Sequence, residues 1–401
     1  MKTNNVLVLT YWDVNSALIQ TYTLPYVRQI QKCLNAGDRI FLFTLSSSSP
    51  SANGIHQSLE NENITLINFR YRPFGLVMVF KMCIIIPYLI FFTVRNKITN
   101  IHAWCTPAGA LGYIISAVSG RRLILDSFEP HAETMVETGT WRTGGFAYRL
   151  LFLLEKRQLE RACEVICATN GMIGYSQKVY KVRKNRYFVK PAGVDLKLFD
   201  PDKVPRDNTI RAGLKKVTCV YAGKFGGIYL EREVFDFFKT AYDYWNGDFS
   251  LVLLTSHSDS EIIEYCDQSG FPYSSVIQKF VSHHEVPFYL KLGDFGICPV
   301  KPLPSKRYCS PIKNAEYWAM GLPVVITSGI STDSDLIAEN GFGYVLKSLT
   351  HDEYLNAVKK IDTLIKDGTL KKTIRTVAGL PRNFSCAEQV YRTIYGGNFL
   401  Y

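Results

Sequence analysis

The chain of 401 residues is 47% hydrophobic and 20% charged, values of a folded globular protein that exclude a disordered polyelectrolyte. That length exceeds one ordinary core, so two domains are expected. The net charge of +11 belongs to the first half alone: residues 1–190 carry 22 Lys and Arg against 11 Asp and Glu, and the remainder carries 24 of each.

In chain order, Met1–Asn5 leads straight into an apolar strand, Val6–Thr10, which predicts no secretory leader. A helix over 24–36 stops at Gly37, and Arg39–Thr44 is the next strand. Ser46–Ser51 is a polar loop. After the strand Ile64–Asn68 comes Phe74–Val94, an apolar run about as long as a membrane span. Lys81 and Pro87 inside it favour a buried or interfacial helix instead. Strands Asn100–Ala103, Leu123–Asp126 and Glu164–Ala168 follow, with helical segments between them.

Two basic clusters stand out in this half. Arg142, Arg149, Lys156, Arg157 and Arg161 surround an apolar helix over Phe146–Leu159, and Lys178–Arg186 holds five cations in nine residues. Either cluster fits a solvated surface or an anionic membrane, and with the Phe74–Val94 run they predict a peripheral cytoplasmic protein at the inner face of the plasma membrane. Nucleic acid is set aside as a partner, because no aromatic–basic platform or known binding module appears. The ten cysteines are scattered, mostly in apolar runs. They read as small buried hydrophobes in a reducing compartment, with no metal site at Cys163 and Cys167.

The second half repeats the alternation. Strands Lys216–Ala222, Phe249–Thr255, Ile277–Phe280, Asp294–Cys298 and Pro323–Thr327 enclose a helix over Tyr229–Thr240, and a last helix covers Ser385–Tyr395. Continuous apolar strands separated by helices predict parallel sheets covered on both faces. The fold class is therefore α/β: two Rossmann-like doubly wound domains facing a cleft, over 1–190 and 191–380, with a C-terminal helix at 381–401 returning to the first.

The chemistry concentrates between Asp294 and Val325. A strand ends in a Pro-rich loop, and Ser310-Pro311 has the form of a helix start, with Ser at the cap and Pro in the first turn. The helix Ile312–Met320 stops at Gly321. Its N-terminus is an anion site, strengthened by Lys313. Glu316 shares that face, where its carboxylate either accepts from a ribose diol or pairs with Lys313.

Ser310-Pro-Ile-Lys-Asn-Ala-Glu-Tyr-Trp-Ala-Met-Gly-Leu-Pro-Val-Val325 resembles the nucleotide-binding helix of retaining GT-B glycosyltransferases. Glu316 matches the family's second glutamate, which holds the ribose hydroxyls, while Tyr308 stands where the first would be. Lys190–Phe199 resembles the segment that opens the second domain. Tyr221–Tyr229 is similar to the Gly-Arg/Lys loop that meets the donor diphosphate, with Lys224 at the basic position and Gly223, Gly226 and Gly227 letting amides approach phosphate. In the first domain Leu125–Glu133 concentrates Asp126, Glu129, His131 and Glu133. Related enzymes place a polar residue of this loop near the reacting sugar, which nominates His131 with Glu129 as alternate; a helix-start capping cluster is the plain alternative. His283 and His284 are expected in a loop near the cleft, and His56, His257 and His351 at the surface.

The resemblance implies a metal-independent hexosyltransferase with no cofactor, in cell-surface polysaccharide or glycoconjugate synthesis. The donor is a nucleoside-diphosphate sugar, UDP or GDP foremost, bound by Gly223, Gly226, Gly227, Ser310, Pro311, Ile312 and Glu316. Lys224 and Lys313 serve its phosphates, and the acceptor is a glycan or a lipid-linked species. Two rivals are a sugar-nucleotide epimerase of the same fold and, given Tyr308, a degenerate membrane-associated subunit that binds nucleotide sugar without turnover.

Overall fold

The protein is seen in a computed structural model that describes residues 4–46, 55–70, 76–183, 186–205 and 208–396. Most of the polar loop Ser46–Ser51, Phe74 at the head of the apolar run, and Lys184 in the second basic cluster lie outside the described residues, as does the side chain of His56. The chain divides into two compact units: Met1–Pro191 together with Phe384–Tyr401, and Ala192–Asn383.

In the first unit the strands are β1 (Asn5–Leu9), β2 (Ile40–Ser46), β3 (Ile64–Arg70), β4 (Ile98–Trp104), β5 (Arg122–Phe128), β6 (Glu164–Cys167) and β7 (Tyr187–Val189). They form one parallel sheet in the order β3-β2-β1-β4-β5-β6-β7. Its helices are α1 (Leu24–Lys32), α2 (Ile55–Asn61), α3 (Leu76–Arg95), α4 (Cys105–Ser119), α5 (His131–Glu137), α6 (Phe146–Arg161) and α7 (Gly171–Lys178). β1 and β2 are buried along their whole length, which is why they read as unbroken apolar runs.

The second unit contains α8 (Asn208–Ala212), β8 (Val217–Ala222), α9 (Arg232–Tyr244), β9 (Phe249–Leu254), α10 (Asp259–Ser269), β10 (Val276–Lys279), α11 (Val286–Leu290), β11 (Phe295–Cys298), α12 (Ile312–Ala319), β12 (Val324–Thr327), α13 (Asp333–Asn340), β13 (Gly343–Leu346), α14 (His351–Leu364) and α15 (Leu370–Ile374). Its parallel sheet runs β10-β9-β8-β11-β12-β13. The expected pair of doubly wound α/β units is what the chain forms.

Two strands had no counterpart in the sequence reading. β7 and β13 are edge strands of three and four residues, only partly buried and too short to stand out. Gly343 in β13 is there for space, since a Cβ would sit 1.9 Å from the Val324 carbonyl oxygen.

The last helix, α16 (Ser385–Tyr395), belongs to the first unit, where it packs on α1. Tyr391, Ile394 and Tyr395 are buried there, and each large apolar side chain buried contributes roughly 1.5–3 kcal/mol. The Tyr391 hydroxyl donates to Asp126 Oδ2 at 2.7 Å, and the Tyr395 hydroxyl meets His102 Nδ1 at 2.7 Å.

The cysteine expectation holds only in part. Cys167, Cys219, Cys266 and Cys298 are buried, but Cys83, Cys163 and Cys386 are exposed. Cys163 lies in the turn from α6 into β6, outside the covered part of the strand. Among the described residues no helix is long and apolar enough to cross a membrane. α3 covers its sheet with one side only, through Ile85, Leu89 and Thr93.

Candidate functional site

The strand order of the second unit reverses between β8 and β11, and ligands of such sheets bind outside the carboxyl ends of strands at that point. Two loops leave the sheet there. Gly223–Leu230 follows β8, and the Pro-rich loop follows β11 and leads to α12. They are tied together: Leu230 N–H donates to the Pro299 carbonyl at 2.8 Å and Lys301 N–H to that of Ile228 at 2.8 Å.

Two glycines of the first loop are required by what passes over them. A Cβ on Gly223 would lie 2.5 Å from Lys313 Cε, so the lysine of α12 crosses the loop where the side chain is missing. Gly226, with φ +83°, leaves room for the Glu231 carboxylate, and Gly227 has φ +62°. The Phe225 N–H donates to His257 Nε2 at 3.0 Å. His257 is therefore no surface histidine, because its ring is half-buried under this loop. Lys224 is exposed.

Lys313 is half-buried at the start of α12. Its Nζ donates to the Tyr229 hydroxyl at 3.2 Å and lies 4.4 Å from the Tyr229 ring centroid and 5.7 Å from that of Tyr221. Burial opposes its charge, but the Tyr229 and Tyr221 oxygens more than offset this and hold the ammonium above its ordinary pKa. Among the described residues no carboxylate pairs with it, so a positive charge is left without a counterion. The first-turn amides of α12 also have no partner within the helix.

The helix start differs from the sequence expectation. α12 begins at Ile312 with Pro311 at the cap position and no side-chain cap. Ser310 turns away instead: its Oγ accepts from the Ala192 N–H at 3.0 Å and from the Arg382 guanidinium at 2.9 Å. The physical reason is Arg382, which is buried, paired with Asp333, and needs further acceptors.

Glu316 is 7% exposed and takes a partner the sequence did not give. His283 Nε2 lies 2.8 Å from Glu316 Oε1, and the His283 ring packs on Phe199 at 5.3 Å. Pairing of Glu316 with Lys313, one of the two readings above, does not occur. The only sequence trace of His283's role is Ser282 and Glu285, which form a capping box around the short turn that carries it.

In the first unit the polar residues from the end of β5 into the following loop separate into two sets. Asp126 does not project as a site residue: it is fully buried, with Lys190 Nζ at 3.1 Å, His102 Nε2 at 3.1 Å and the Tyr391 hydroxyl. Burial raises its carboxyl, but Lys190 and the two hydrogen bonds outweigh that and hold it well below the usual carboxylate range. Glu129 and His131 stay accessible, with His131 Nδ1 3.9 Å from Glu129 Oε1 and side chains 26% and 29% exposed. His131 opens α5, whose Ala132 N–H donates to Glu155 Oε1 at 2.8 Å. Burial pushes the Glu155 carboxyl up to about 8.

A cavity of 1140 Å³ lies elsewhere, at the amino-terminal end of the second sheet, among Arg211, Lys291, Asp294, Leu322, Lys371 and Arg375. Its cations already meet carbonyls or carboxylates, as Lys291 does at Pro201 and Arg375 at Asp200. It does not adjoin the α12 site.

The chain superposes on sucrose-phosphate synthase from Thermosynechococcus elongatus with a TM-score of 0.73 and 15% identity, over 98% of this chain and 99% of that one. The fold is GT-B. WaaG, a glycosyltransferase involved in lipopolysaccharide biosynthesis, shares this GT-B architecture with a TM-score of 0.72 and 14% identity over 98% and 100% of the two chains. HepE from Anabaena, solved with UDP, gives 0.69 and 14% over 98% and 100%. A UDP-N-acetylglucosamine 2-epimerase is more distant, at 0.62 and 13% over 98% and 95%. TuaH of Bacillus subtilis (strain 168), named as a teichuronic acid biosynthesis glycosyltransferase, is 24% identical over 254 residues. That alignment spans 58% of this chain and 57% of TuaH, so just over half of the relative is covered. No protein-family model matches the chain.

Proposed function

We propose that the protein is a retaining glycosyltransferase that moves a sugar from a nucleoside-diphosphate donor, UDP or GDP, to a glycan or lipid-linked acceptor in polysaccharide or glycoconjugate synthesis. The observation that carries this reading is the uncompensated ammonium of Lys313, held over Gly223 at the N-terminus of α12. The UDP-bound and glycosyltransferase neighbours of the same fold support it.

In this reading Lys313, Lys224 and the first amides of α12 and the glycine loop receive the diphosphate. Glu316, oriented by His283, accepts from the ribose hydroxyls. The bond between the anomeric carbon and the phosphate oxygen breaks while the acceptor oxygen bonds on the same face. The acceptor's proton passes to the departing phosphate oxygen. His131, with Glu129 as alternate, is the first unit's contribution at the reacting sugar. The positive charge comes from the protein, so turnover should persist in a chelator.

Thermal unfolding with UDP, GDP and ADP tests the donor site. A ligand at 100 times its Kd stabilises by about 2.7 kcal/mol, and no response to any of the three overturns the assignment. Product analysis then separates the rivals. Release of nucleotide and an altered sugar without acceptor marks the epimerase, and stabilisation without turnover of any donor marks the binding subunit. An inverted anomeric product refutes retention.

A further inference from the structure

α3 has two apolar faces. One is spent on the sheet through Ile85, Leu89 and Thr93, and the other faces solvent. Val77, Phe80, Ile84 and Phe91 fall at spacings of three, four and seven, which puts them on one side of the helix, and they are 61%, 77%, 69% and 63% exposed. α4 packs against both α3 and α6 and so lies between them. On α6, Phe146 and Leu153 are also exposed, at 83% and 48%. Soluble surfaces seldom expose so many large apolar groups on neighbouring helices without a partner.

The charge around this face is mostly positive. Residues 63–125 contain seven Lys and Arg and no Asp or Glu. Arg95 and Lys97 lie exposed at the end of α3, and Arg149 and Arg157 flank the apolar side of α6. Glu160 offsets part of the second group by pairing with Lys156 and Arg157. A second copy of the chain is a poor occupant, because an isologous contact would set this predominantly cationic face against its own image. A bilayer fits both features, since acyl chains receive the aromatic and aliphatic side chains and anionic headgroups receive the cations.

We propose that the α3–α4–α6 face of the first unit docks the protein onto an anionic membrane surface, with Phe80, Phe91 and Phe146 entering the headgroup boundary. This docking is independent of the donor-site reading, so either can fail alone.

The test is flotation of the full chain with phosphatidylcholine vesicles and with vesicles carrying about one third phosphatidylglycerol. The expected result is at least about tenfold stronger partition onto the anionic vesicles, lost at high salt. The double variant Phe80→Glu/Phe91→Glu should weaken partition about 100-fold, while its nucleotide-induced thermal shift stays as in the parent chain. Should that variant unfold, Arg149→Ser/Arg157→Ser tests the charged component alone and should weaken binding about tenfold. Equal partition onto neutral vesicles, no partition at all, or unaltered partition of the variants would overturn the proposal. So would a dimer in sedimentation equilibrium that Phe80→Glu/Phe91→Glu dissolves.

Discussion

Lys190 and Lys313 are both lysines set among tyrosines, and they have opposite roles. Lys190 lies within 6.0 Å of the ring centroids of Tyr22, Tyr26, Trp104 and Tyr391, but it also meets the buried Asp126 carboxylate at 3.1 Å. Lys313 has the same kind of aromatic surround and a phenol in place of the carboxylate. A paired buried charge is finished and can only hold structure. An unpaired one, reachable from solvent, is still able to bind an anion. The aromatic cage does not distinguish the two sites; the counterion does.

The largest effect expected from breaking this contrast is at Lys190. Lys190→Met leaves Asp126 charged and buried without its ammonium, which should cost about 3–5 kcal/mol of stability in denaturant unfolding. Lys313→Ala should do the reverse, leaving the unfolding midpoint nearly unchanged while turnover falls about 10²–10³-fold, as for loss of one donor to a developing negative charge. Near wild-type turnover would remove Lys313 from the site. Glu316→Gln removes one ionised acceptor and should weaken donor binding about 10–100-fold, measured by titration with the nucleotide.

A separate expectation concerns pH dependence. With its pKa raised to about 8 in the folded state, Glu155 contributes stability that is complete below its unfolded pKa of about 4.3 and is lost progressively as pH rises to about 8. Glu155→Gln should flatten the melting-temperature profile across that window. An unchanged slope would place the titration elsewhere.

Much of this was legible in the sequence, for an identifiable reason. Central parallel strands are buried on both faces, so β1, β2 and β8 appear as unbroken apolar runs, and helices are marked by proline at their starts and glycine past their ends. Edge strands such as β7 and β13 lack that signature. The candidate site was legible where its parts lie close in sequence, as from Ser310 to Glu316. It was not where partners come from far away. Nothing near Ser310 marks Arg382 as the group that claims its hydroxyl, and nothing near Glu316 marks His283. Asp126 stood beside a promising polar loop, at the end of a strand, yet Lys190, His102 and Tyr391 bury it as a core residue.

The return of α16 to the first unit also has a cost in time. The core around Asp126 needs the Tyr391 hydroxyl, which follows the 192 residues of Ala192–Asn383. At the usual pace of synthesis those residues take roughly 10–40 s to emerge. Throughout that interval the first unit waits with Asp126 and Lys190 incompletely enclosed, a nascent form that a chaperone would meet before the unit is whole.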